Sequence, residues 1–286
     1  GLETERGKER QKEEEEFVPV ILKRTDEALR HPDDILEKAI DEGLEQLQRP
    51  FFSLLLSACA AGLILSFSAM SVAILESKAA LLAYGPLSAR LGAALVYPLG
   101  FVLCIMSGSQ LFTEHTATAV YPILDRREKV PKLLRLWITV IVGNLCGALV
   151  GAMLLMAADG VIQGESGYLA VGRQLVGIDA GSLIVSALLA GWLMALGAWL
   201  VLATPPTLSQ MVSIYIVTFV IGLGGLHHSI AGSVEIFTAY LFSDHLALAQ
   251  VGRFIGLAIF GNLIGGSIFV ALLNYGHIRQ TQKTSE

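Results

Sequence analysis

The sequence predicts an all-α membrane protein of six transmembrane helices in two matching halves, with one broken helix in each half. Three observations carry this. The 286 residues are 53% hydrophobic and only 16% charged, too apolar for an ordinary soluble domain. Charges crowd into residues 1–50, and much of the rest is apolar runs of the length that a span requires, about 20 residues. Second, a phrase occurs twice: Gly143-Asn144-Leu145-Cys146-Gly147-Ala148 recurs as Gly261-Asn262-Leu263-Ile264-Gly265-Gly266. Third, each copy follows an apolar segment interrupted by Gly and polar residues, Ser107 to His115 in one half and Gly222 to Ser229 in the other. Paired broken helices mark a pathway through the bilayer. The competing explanation is that Gly recurs because membrane helices pack closely.

Taken in order, residues 1–32 read as a disordered, charged cytoplasmic tail with the acidic run Glu13 to Glu16. The first residue is Gly1, so a trimmed or engineered N-terminus is expected, and no signal peptide is read. Residues 33–49 predict an amphipathic helix, because Leu36, Ile40, Leu44 and Leu47 share one face. Asp34 followed by Glu37 fits a capping pattern. The acidic polar face favours packing on a neighbouring subunit over lying on lipid.

Pro50 opens the channel domain, residues 50–276, with spans near 51–75, 90–122 (interrupted), 134–158, 182–203, 211–242 (interrupted) and 249–274. Arg126, Arg127, Lys129, Lys132 and Arg135 form the densest basic loop between spans, which places that loop in the cytoplasm. An even span count then puts both termini inside, with residues 277–286 as a cytoplasmic tail.

The candidate chemistry lies at the breaks. Gly108 and the small polar residues around it allow non-helical backbone, tolerated at membrane depth only where protein or a cavity satisfies it. A helix restarting near Thr113 would aim free N–H groups and partial positive charge at an anion. Thr113 as a simple cap is the plainer alternative. In the second break, Gly225 precedes His227 and His228. Ionisable groups deep in a span face the protein interior or a cavity. Adjacent histidines cannot face one direction on a helix, so one is expected to line the pore and the other to pack or sit at its mouth. Glu235 lies seven residues beyond His228 and can share its face.

Other classes find little. Cys59, Cys104 and Cys146 lack metal-ligand spacing and read as buried structural thiols. No basic patch suits nucleic acid. No nucleophile–base pair or HExxH suggests an enzyme, and no cofactor or metal is implied.

These residues together resemble the formate/nitrite transporter family over about residues 45–276. The motifs are Gly108-x-x-Leu111-Phe112-Thr113, the two Gly-Asn phrases with Asn144 and Asn262, and His228-Ser229-Ile230-Ala231. The resemblance implies an aquaporin-like fold of two inverted three-helix repeats, assembled as a homopentamer in a bacterial cytoplasmic membrane. It implies a polar pore centre at Thr113 and His228, an apolar constriction at Leu111 and Phe112, and Gly-Asn phrases that pack helices and support the breaks. The sequence departs from common members at His227 (Glu), Gly232 (Asn) and Ala195 (Asn). It has no clear match to an outer-vestibule Lys; Arg173 is the nearest basic candidate. Glu114 and His115 add ionisable groups beside Thr113. The long tail resembles a less characterised branch.

The expected function is transport of a small monovalent anion, with His228 able to link it to protons because imidazole titrates near neutral pH. Desolvation would instead keep His228 neutral. A pore for a neutral or cationic species such as ammonia stays open, as does a non-conducting scaffold or sensor.

Overall fold

The computed structural model describes residues 29–82 and 85–285. Most of the expected charged tail, residues 1–28, lies outside the described residues. Among the described residues, six helices are long and apolar enough to cross a bilayer: Phe51–Ala79, Leu87–Met106, Val130–Ala157, Ala180–Ala203, Thr207–Gly224 and Leu248–Gln282. The apolar runs become helices because a helix satisfies its backbone within one segment, without water.

Helix α1 (Pro32–Gln48) starts with Pro, whose missing N–H would have no partner there anyway. His31 rather than Asp34 is its cap, with Nδ1 accepting from Asp33 N at 3.3 Å. Leu36, Ile40 and Leu47 are buried, as the face pattern demands. They cover the protein's own chain rather than a neighbouring subunit. Leu36 and Ile40 pack in a cluster with Tyr121, Ala195, Val270, Ala271 and Ile278. The apolar stripe is thus consumed within the fold.

The first half then runs α2 (Phe51–Ile64), α3 (Ser66–Leu82), α4 (Pro86–Val96), α5 (Pro98–Met106), α6 (Phe112–Thr118), α7 (Tyr121–Leu124) and α8 (Val130–Ala157). A connection holds α9 (Asp159–Ile162) and α10 (Glu165–Gly177). The second half runs α11 (Ala180–Ala203), α12 (Thr207–Gly224), α13 (Ser229–Phe242) and α14 (Leu248–Gly266). A π-helical turn, Ser267–Leu272, leads into α15 (Leu273–Ser285). The chain past residue 276 is therefore no free tail: α15 continues the last span, and Ile278 is buried.

The halves repeat at the level of single contacts. Gly143 and Gly147 of α8 face the backbone of α2 at Leu55 and Cys59. Gly261 and Gly265 of α14 face the backbone of α11 at Ile184 and Leu188 in the same way. A Cβ at any of the four would overlap its facing helix, so these glycines set the close approach. Beside that stripe α8 carries Cys146, which is exposed on the chain, while Cys104 is buried and Cys59 half-buried. The expectation of three buried thiols holds fully only at Cys104, since Cys146 lies on the flank of α8 outside the packed Gly-Asn stripe and Cys59 is half-covered.

At the end of the bundle that carries the basic loop, α1, that loop and α15 are tied by charge. Arg279 binds Glu37 at 2.8 Å and Asp125 at 3.0 Å. Arg127 binds Asp125 at 2.7 Å and Glu37 at 3.1 Å, and Tyr275 donates to Asp125 at 2.9 Å. Burial works to raise the Asp125 pKa, but the Tyr275 hydrogen bond and the Arg279 and Arg127 charges outweigh it and hold the carboxyl below its ordinary range.

Candidate functional site

The site begins with two asparagines. In the first break, Asn144 of α8 accepts from Phe112 N at 2.9 Å and donates to Ala58 O at 2.8 Å and Gln110 O at 2.9 Å. In the second, Asn262 of α14 accepts from Ser229 N at 2.8 Å and donates to Ala187 O at 2.7 Å and His227 O at 3.0 Å. Each side chain thus binds both sides of a break and the carbonyl of a neighbouring helix. Both are fully buried, where an unpaired backbone group would cost about 1–3 kcal/mol. Gly108 and Gly225 precede the restarts with φ of +75° and +60°, a left-handed backbone that glycine adopts without strain.

Superposing the two clamps pairs Leu111 with His228, the residue just before each restarted helix. Leu111 is an extended residue with no side-chain cap, and it is buried, as is Phe112. His228 caps α13: its Nδ1 accepts from Ile230 N at 3.2 Å and Ala231 N at 3.1 Å. Its Nε2 lies 2.8 Å from Thr113 Oγ1, and the edge of Phe101 completes the surround, ring centroids 4.9 Å apart. Thr113 and His228 are therefore brought together from opposite halves, both buried.

This geometry selects a tautomer. A ring nitrogen that accepts two N–H groups carries no proton, so the proton of neutral His228 sits on Nε2 and is donated to Thr113 Oγ1. Adding a proton at Nδ1 would break both cap bonds. His228 is built as a fixed donor rather than as a proton reservoir. The expectation of free N–H groups at the restart near Thr113 is narrowed. On α13 the N–H groups of Ser229, Ile230 and Ala231 are taken by Asn262 and His228, and on α6 that of Phe112 is taken by Asn144.

The other candidates separate. His227 binds Ser186 Oγ through Nδ1 at 2.7 Å. It lines a cavity of about 500 Å³ with His228, Glu235, Glu76, Arg90 and Tyr97. That cavity lies on the side of the pair away from the Arg126–Arg135 loop. Glu114 and His115 do not join the pair; His115 is buried with neither ring nitrogen hydrogen-bonded. Arg173 is exposed and not among the residues lining the cavity; the cation lining it is Arg90. At Gly232 a Cβ would sit 2.6 Å from Phe254 Cζ, so glycine there admits the aromatic ring. Sequence reasoning missed Glu76, Arg90, Ser186 and Phe101. Only Glu76 left a signal, a carboxylate at the end of the first apolar run.

Residues 33–276 match the family model described as formate/nitrite transporter. The chain belongs to the formate/nitrite transporter family. It is similar to the inner membrane protein YfdC of Escherichia coli (strain K12), 31% identical over 86% of this chain and 78% of that protein. Among solved structures it resembles an FNT family ion channel with a TM-score of 0.78 at 19% identity, covering 86% of this chain and 99% of that one. It also resembles a pentameric formate channel with formate bound, TM-score 0.68 at 18% identity, covering 80% and 98%. These likenesses establish the fold, and the protein is an integral membrane protein of this transporter family.

Proposed function

We propose that the chain assembles as a homopentamer and conducts a small monovalent anion of the formate or nitrite class, with one pore per subunit. Family membership supports the substrate class, and the pentameric neighbour supports the assembly. The observation that carries the reading is the Thr113–His228 hydrogen bond. It joins the starts of the two half-helices inside an apolar surround of Leu111, Phe112 and Phe101.

A small anion entering such a passage loses several kcal/mol of hydration or more. Fixed side-chain donors offset part of that cost. In this reading the Thr113 hydroxyl, oriented by accepting from His228 Nε2–H, donates its own proton to the anion, and Leu111 and Phe112 form the constriction. His227 is a polar group on the approach. Gly108, Gly225, Asn144 and Asn262 hold the breaks. Both termini and the Arg126–Arg135 loop face the cytoplasm, in a bacterial inner membrane. Support for a shared side comes from the ion pairs joining α1 and α15 to that loop. No enzymatic activity is proposed.

The test is flux through proteoliposomes for formate, nitrite, hydrosulfide, acetate, lactate and ammonium, across pH. Formate or nitrite flux is expected. Ammonium flux alone would establish the pore for a neutral or cationic species instead, and no flux would leave a scaffold or sensor.

A further inference from the structure

The cavity before the Thr113–His228 pair has an unusual charge pattern for the approach to an anion pore. Two carboxylates line it, Glu76 from α3 and Glu235 from α13. Both are half-buried, and neither has a hydrogen-bond or ion-pair partner among the described residues. The cation lining the cavity is engaged elsewhere. Arg90 Nε donates to Leu223 O at 2.7 Å and its Nη2 to Gly224 O at 2.6 Å. Those carbonyls end α12, where a cation complements the helix dipole. Nearby cations do not compensate: Arg253 of α14 binds Ile178 O, and Arg173 of α10 is exposed and absent from the lining. The remaining titratable groups of the chamber are Tyr97, His227 and His228.

Ionised, this pair of carboxylates repels an anion. Protonated, a carboxyl is an acid placed one step before the constriction. The pair at the constriction does not fill that role, because His228 Nδ1 is occupied by two backbone N–H groups. Two like charges lining one chamber, with its cation engaged elsewhere, repel one another. A proton moved to the anion removes most of the cost of its entering an apolar passage.

We propose that Glu235, with Glu76 across the same chamber, is the site at which an incoming weak-acid anion is protonated before it crosses. The Glu235 O–H bond breaks and an O–H bond forms on the anion. This leaves the Glu235 carboxylate and the neutral acid, and a proton from the water at the cavity mouth restores the carboxyl. This rests on the proposed anion transport.

The experiment uses the full chain in proteoliposomes with formate as the probe and external pH varied, comparing wild type, Glu235→Gln, Glu76→Gln and Glu235→Asp. Oligomer size is checked for each. Glu235→Gln is expected to keep wild-type flux at acid pH, where formic acid is supplied by bulk water. It should lose at least about tenfold near neutral pH, in line with loss of a general acid. Glu76→Gln should show the same change more weakly, and Glu235→Asp should restore the wild-type profile. A Glu235→Gln profile of unchanged shape, or one with more flux near neutral pH, overturns the proposal, the latter marking the carboxylates as mere repellents. Wild type that carries no anion at any pH overturns the anion reading itself, a different result. Should Glu235→Gln fail to assemble, Glu76→Gln and Glu235→Asp decide the same question, and wild-type shape in Glu76→Gln then counts against it.

Discussion

The two breaks share a scaffold and differ in chemistry. Asn144 and Asn262 make the same three bonds to the same kinds of backbone atom. At the residue before the restart, however, one half places Leu111 and the other His228. The first half-helix supplies its polar atom one position inside the helix, at Thr113, and the second supplies it at the cap. The repeat thus accounts for the frame, while the Thr113–His228 pair exists only because the two copies differ.

The sharpest way to break this comparison is His228→Ala against Leu111→Ala. The His228 variant loses the Nε2–H donor and uncaps α13, and should cut anion flux by about a hundredfold, the scale for removing one placed donor. His228→Asn keeps an N-cap acceptor and should recover stability without flux. Leu111→Ala should leave flux within about tenfold of wild type, because it removes bulk and no polar atom. Equal losses at the two positions would mean the histidine acts by packing alone.

Asn144→Leu and Asn262→Leu test the shared part. Each strands three backbone groups, and each should destabilise the protein by about 3–5 kcal/mol, read as equal losses of thermal stability in detergent. A large difference would show that the clamps are not equivalent. Thr113→Val keeps shape and removes the hydroxyl, so flux should fall about tenfold with assembly intact. His227→Ala should be milder, about threefold or less, since its Nδ1 is turned to Ser186. An effect larger than that of His228→Ala would reassign the pore face.

The smallest effect concerns the charge cluster that docks α1. The folded-state pKa of Asp125 is depressed, so its contribution is present above the ordinary aspartate range and is lost as pH falls through the lower folded value. Hydrogen exchange in α1 should accelerate only below that range, and Tyr275→Phe should move the onset upward.

Much of this frame is legible in the sequence, because length and apolarity decide spans and a repeated Gly-Asn phrase decides a repeated contact. Thr113 and His228 could be singled out since polar residues beside glycine inside an apolar run have few other uses. The partners of α1 could not be read: its apolar stripe says that something covers it, not what. Helix α10 escaped because Glu165, Gly167, Gly172 and Arg173 interrupt its apolar positions. The chamber escaped for a different reason. Glu76 and Arg90 sit in separate helices, and Arg90 finds its partners more than a hundred residues away, so no local spacing announces them. The cap role of His228 depends on ring orientation, which only coordinates supply.

The asparagine clamps bear on how the protein moves. Opening one breaks three buried hydrogen bonds together, about 3 kcal/mol or more at roughly 1 kcal/mol each. An opened clamp is then populated below about one molecule in a hundred. With one clamp inside each half, each broken helix is riveted to the spans of its own half. Unwinding or straightening of either break is disfavoured, so the two halves keep their kinked shapes as rigid parts whatever else in the protein moves.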